Sequence, residues 1–92
     1  MFERVDLAAA IKKLRGGRTQ KEVAQRAGID ETAWSLYENE GRQPTLRSLE
    51  KVAFGLGCTV TRLEEEIWEA RNRRLAEALA VRKGPAEEPD PL

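Results

Sequence analysis

The segment TQKEVAQRAGIDETAWSLYEN, Thr19 to Asn39, decides the fold of this chain. Thr19 followed three residues later by Glu22 is a capping box, in which each side chain satisfies a backbone donor at a helix start. A helix from Gln20 to Ala27 follows. Gly28 suits the left-handed position that ends a helix, and Asp30 is placed to cap the next one, with Ile29 and Trp34 spaced as a hydrophobic staple across that cap. The pattern predicts two short helices joined by a tight turn. The second runs over about Glu31 to Asn39, with Trp34 and Tyr37 inward and Glu31, Thr32 and Ser35 outward.

Upstream, Asp6 is placed to cap a helix through Leu7, Ala8, Ala10, Ile11 and Leu14, which Gly16 and Gly17 stop. Downstream, Gly41 Arg42 Gln43 Pro44 reads as a loop, and Thr45 caps a fourth helix whose apolar positions Leu46, Leu49, Val52, Ala53 and Leu56 share a stripe before Gly57 closes it. Thr59 or Thr61 then caps a long, highly charged helix to about Lys83, ended by Gly84 and Pro85. With no period-two strand pattern, the expected architecture is all-α, with five helices. Residues 84–92, rich in proline and carrying Glu87, Glu88 and Asp90 as their charged side chains, are expected to be a disordered acidic tail.

Composition excludes more than it assigns. Ninety-two residues leave room for one domain and one modest core. Cys58 is the single cysteine and histidine is absent, which excludes an internal disulfide, a Cys/His zinc site and a histidine-based triad. No nucleophile and base pair and no phosphate-binding glycine loop is present, so no catalysis, no metal and no cofactor are expected. No apolar run is long enough to cross a bilayer and Met1 to Asp6 lacks the design of a secretion signal, which places the expected location in the cytoplasm. The net charge is zero because the acidic tail offsets a mildly basic body.

Thr19 to Asn39, together with GRQPTLRSLEKVAFGLGCTVTRL from Gly41 to Leu63, resembles the lambda-repressor-like, Cro-type (XRE) helix-turn-helix family of regulators. The likeness spans roughly Leu7 to Leu63. It implies a compact DNA-binding domain over residues 1–63, in which Ala24, Gly28 and Trp34 hold the two motif helices at their angle above Val23, Ala27 and Tyr37. It also implies a pairing of Arg15 with Glu38. The third helix would enter the major groove of double-stranded DNA, with Glu31, Thr32, Ser35 and Leu36 at base edges. Gln20 and the Asn39 to Gln43 region would approach phosphates, with Arg42 and Arg47 adding charge. A helix fits that groove and free N–H groups at helix starts suit phosphate oxygens, so the geometry is physically sound. Two departures stand out: the linker Gly16 Gly17 Arg18 is short for the family, and Asp30 and Glu31 are acidic where polar or basic residues are commoner.

The function expected is therefore a sequence-specific DNA-binding transcriptional regulator, a repressor acting as a homodimer. Residues 64–83 would supply the dimer helix, through Phe54, Val60, Leu63, Ile67, Trp68 and Leu75, with Leu79 beyond. Three alternatives stay open. Glu31 is either a base reader or a first-turn carboxylate favoured by the helix dipole. Phe54 and Trp68 either meet a partner or are buried by a folded-back last helix. A protein-interaction module on the same fold, such as an antitoxin for a toxin, is the rival to DNA binding.

Overall fold

A computed structural model describes residues 2–83, with side chains through residue 80; the expected tail at 84–92 lies outside the described residues. Five helices follow one another: α1 (Arg4–Arg15), α2 (Gln20–Ala27), α3 (Glu31–Glu40), α4 (Leu46–Leu56) and α5 (Val60–Lys83). Local capping chemistry sets most of these starts. Thr19 Oγ1 accepts from the Glu22 N–H at 3.0 Å while Glu22 returns a carboxylate to the Thr19 N–H, completing the capping box. Asp30 accepts from Thr32, Thr45 from Ser48 and Thr59 from Arg62, so Thr59 and not Thr61 starts α5. Gly28, Gly41 and Gly57 close α2, α3 and α4 in the left-handed region.

α1 departs from the expected register. It starts at Arg4 after Glu3, without a side-chain cap, and Asp6 lies buried within its first turn. The reason is a partner 68 residues away: Arg74 of α5 donates to both Asp6 oxygens, at 2.9 and 2.8 Å. That bidentate bond holds the Asp6 carboxyl below its ordinary pKa against the opposing effect of burial. Farther along, Lys13 Nζ lies 2.8 Å from the buried Glu66, which Arg62 also approaches at 2.9 Å. The two cross-links, Asp6 with Arg74 and Lys13 with Glu66, make α1 and α5 antiparallel neighbours.

The core gathers Leu7 and Ile11 of α1, Val23 and Ala24 of α2, Trp34 of α3, Leu49, Val52 and Ala53 of α4, and Leu63 and Ile67 of α5. Cys58 packs against it, and burial pushes its thiol pKa up, in keeping with a small core filler. Leu46 does not join the expected stripe. It is 69% exposed, being the first residue of α4 and one turn short of the packed segment. The core also does not stop at residue 63, because Ile67 and Ala70 are buried, and among residues 60–80 of α5 Arg74 is the last that is not exposed. Residues 75–80 stand outside the core.

α2 lies so close to α4 that a Cβ at residue 55 would sit 2.6 Å from both the Ala27 methyl and the Val23 carbonyl oxygen. In an exposed helix interior Gly→Ala raises stability by about 1 kcal/mol. Gly55→Ala should do the reverse here and lower it by about 1 to 3 kcal/mol, because the helices must part. Urea unfolding checks the sign; a higher midpoint would mean that α2 and α4 cross with room to spare.

Candidate nucleic-acid interface

Glu38 anchors the interface from below. It is 1% exposed and accepts from Arg15 Nε at 2.9 and 3.0 Å, from Arg15 Nη2 at 2.7 Å and from the Trp34 indole N–H at 2.9 Å. Burial raises the pKa of this carboxyl, but the donors Arg15, Trp34 and Gln20 outweigh it and hold the value below 4.5. The short linker does not prevent the contact. Arg15 also donates to the Arg18 carbonyl, which folds Gly16 and Gly17 tightly between α1 and α2.

Arg18 is a residue whose role the sequence reading missed. Its guanidinium donates to the carbonyls of Leu14 at 2.8 Å, Arg15 at 3.2 Å and Leu56 at 3.1 Å, closing the C-terminal ends of α1 and α4 at once. An arginine directly after a Gly-Gly helix stop was the available signal. Its partner at Leu56 was not, being 38 residues on.

On the outer surface Glu31 and Thr32 are exposed in the first turn of α3, while Ser35 and Leu36 are half-buried one turn on. Asn39 is exposed and donates to Ser35 Oγ at 2.8 Å; Gln20, the first residue of α2, donates to Asn39 Oδ1 at 3.5 Å. Thus Gln20, Ser35 and Asn39 come together across the two motif helices. Arg42 and Arg47 are exposed. Gln43 is turned elsewhere: its amide donates to the Phe2 carbonyl at 2.6 Å, so it anchors the N-terminus where a phosphate contact was expected. Gly41 explains the closeness, since a Cβ there would run into the Arg4 carbonyl.

The expected dimer stripe breaks up. Leu63 and Ile67 are 0% and 3% exposed inside the core and Val60 packs half-buried against it, so these three serve the monomer. Phe54 and Trp68 are 64% and 60% exposed, and α5 does not fold back over them. They also lie apart: Phe54 borders a depression with Ala27, Arg47, Glu50 and Lys51, whereas Trp68 lines an open groove with Phe2, Thr61 and Arg71. Trp68, Leu75 and Leu79, the last two 40% and 55% exposed, fall within about 20° of one line along α5, opposite its buried face.

A helix-turn-helix family model matches residues 11–63, more than half of the chain. The chain belongs to the helix-turn-helix family. It is 38% identical over 60 residues to the control protein C.MunI of a Mycoplasma species, an alignment covering 62% of this chain and 81% of that protein. No solved structure matches. The Cro-type resemblance drawn from Thr19 to Leu63 therefore stands, and with it a DNA-binding transcriptional regulator of all-helical fold.

Glu38→Gln should lower stability at neutral pH by about 3 kcal/mol, since it leaves Arg15 without its counter-charge. The folded-state pKa of Glu38 is depressed, so the ion pair stabilises wild type above the unfolded value. That contribution is lost as pH falls through the folded value, below pH 4.5. Denaturation from pH 7 down to pH 3 should show the gap between wild type and Glu38→Gln closing with acid; a constant gap would mean that Glu38 is not ionised in the fold.

Proposed function

We propose that this regulator binds a specific, two-fold symmetric DNA site as a homodimer and represses transcription by occupying it. The observation that carries the reading is the first turn of α3. Glu31 and Thr32 stand exposed there, on a helix whose angle the Glu38 clamp holds, and an N-terminal turn is the part of a recognition helix that reaches bases. Glu31, Thr32 and Ser35 read base edges, and Leu36 offers an apolar contact to a thymine methyl. Gln20, Arg42 and Arg47 approach phosphates, as do the N–H groups that start α2 and α4. A relative that carries the name control protein supports a regulatory role.

Residues 1–63 supply the DNA contacts, and α5, through the line of Trp68, Leu75 and Leu79, pairs with a second copy. A dimer would place two α3 helices in successive grooves of one DNA face, and two bound helices exclude other proteins from that stretch. A second reading rests on Phe54, an exposed aromatic away from that line: a protein partner, such as a toxin, docks beside it.

Selection of bound DNA from a random pool should enrich a symmetric site. Against that site, Glu31→Gln should bind unrelated DNA more tightly and lose about 1 to 3 kcal/mol of discrimination at one base pair. Arg42→Ala should weaken all sequences alike and flatten the salt dependence by about one phosphate contact. Titrations at two salt concentrations separate the two signatures; an unchanged specificity ratio in Glu31→Gln would make Glu31 a helix-start carboxylate and nothing more. Separately, Trp68→Glu should shift the sedimenting species from dimer to monomer. A dimer that survives that change places the contact elsewhere.

A further inference from the structure

The polar side chains of α2 and α3 form a chain with a direction. Gln20 faces Asn39 with its NH2 group and donates to Asn39 Oδ1 at 3.5 Å. The Asn39 oxygen receives that donor, which leaves the Asn39 NH2 to face Ser35, and it does so at 2.8 Å. Ser35 Oγ is thereby an acceptor within the protein. A hydroxyl carries one proton, and among the described residues the Ser35 proton meets no acceptor.

We infer that Asn39 is a specificity-determining positioning residue, which by donating to Ser35 presents the Ser35 hydroxyl to DNA as a hydrogen-bond donor for an acceptor atom on a base edge. The matching atoms in the major groove are purine N7, guanine O6 and thymine O4; the amino groups of adenine and cytosine are donors and do not match. The inference rests on the DNA-binding reading and adds a direction to it. Left to rotate, a serine hydroxyl serves donors and acceptors alike and discriminates poorly between them. With one lone pair held by Asn39, the remaining proton is biased outward. Asn39 itself then touches no base, and its exposed position is explained by Ser35 in place of a phosphate.

The test uses the full chain and random-pool selection, followed by titration of wild type, Ser35→Ala, Asn39→Ala and the double variant against the enriched site and its single-base changes. Ser35→Ala should lose about tenfold of preference at one base-pair position and keep the others. Asn39→Ala should lose preference at that same position, and the double variant should be no worse than either single change. Asn39→Asp gives a sharper outcome, because a carboxylate would accept the Ser35 proton and turn lone pairs outward. Its preferred base at that position should change, whatever the added charge does to overall affinity. Thermal melts establish that all variants fold. Asn39→Ala weakening every sequence alike, or adding its full effect on top of Ser35→Ala, would overturn the inference in favour of a phosphate contact. So would an Asn39→Asp protein that keeps the wild-type base. Wild type enriching no sequence at all is a different failure, recognisable because it precedes any variant: it sinks the DNA-binding reading and this inference with it.

Discussion

Glu38 is the constraint on which the rest of the molecule depends. A carboxylate removed from water carries a penalty of several kcal/mol unless its oxygens are met by charge and by hydrogen bonds. Here Arg15 reaches across from α1, and Trp34 adds its indole N–H from one turn earlier in α3 itself. Apolar packing is non-directional and would tolerate small rotations of these helices against one another. The guanidinium does not, because it must reach both oxygens of one carboxylate. The seating of α3 against α1 is thus set by polar satisfaction laid over the Leu7, Ile11 and Trp34 core.

The same device recurs along α1. Lys13 meets Glu66 and Asp6 meets Arg74, so α1 is joined to α3 at its C-terminal end and to α5 along its length. Each pair fixes register as well as contact: a slip of one residue would leave Asp6 buried without its cation. The effect reaches α5, whose course is dictated as far as Arg74 by its fit to α1. Beyond that point residues 75–80 are exposed. Extending an established helix avoids the unfavourable nucleation step, and the good helix formers Leu75, Ala76, Glu77, Ala78 and Leu79 suffice to carry it outward.

What the sequence made legible was local. The capping box at Thr19, the left-handed stop at Gly28, and the caps at Asp30 and Thr45 were readable because partner and target lie within a few residues. The contacts of Arg15 with Glu38 entered through a family resemblance and not through spacing. What could not be read was long-range. Asp6 has the look of an N-cap, and only Arg74 reveals it as a buried half of an ion pair. Leu63 and Ile67 share a helix with the exposed Trp68, Leu75 and Leu79, and an apolar pattern on both sides of α5 does not say which side meets α1. Gln43 fits a phosphate-facing loop until the chain's own N-terminus occupies its amide.

The internal pairs also bear on the neutral charge of a DNA-binding chain. Lys13, Arg15, Arg62 and Arg74 are committed to buried carboxylates, and Arg18 to helix carbonyls. From α2 through α4 the exposed cations are Lys21, Arg26, Arg42, Arg47 and Lys51, matched in number by the exposed acids Glu22, Asp30, Glu31, Glu40 and Glu50. That span carries no net charge, so only a few local cations such as Arg42 and Arg47 release counterions from arbitrary DNA, and counterion release supplies most non-specific affinity. Free energy of binding must then come from groups that act at short range and in one direction: N–H groups at helix starts, and side chains on α3 held in place by hydrogen bonds. Such groups lose their value when the wrong base or a shifted phosphate faces them, because a desolvated donor is left unpaired. A fold that spends its cations on internal pairs therefore suppresses binding to the bulk of DNA more than to its own site, and the clamp that builds the domain also sharpens its selectivity.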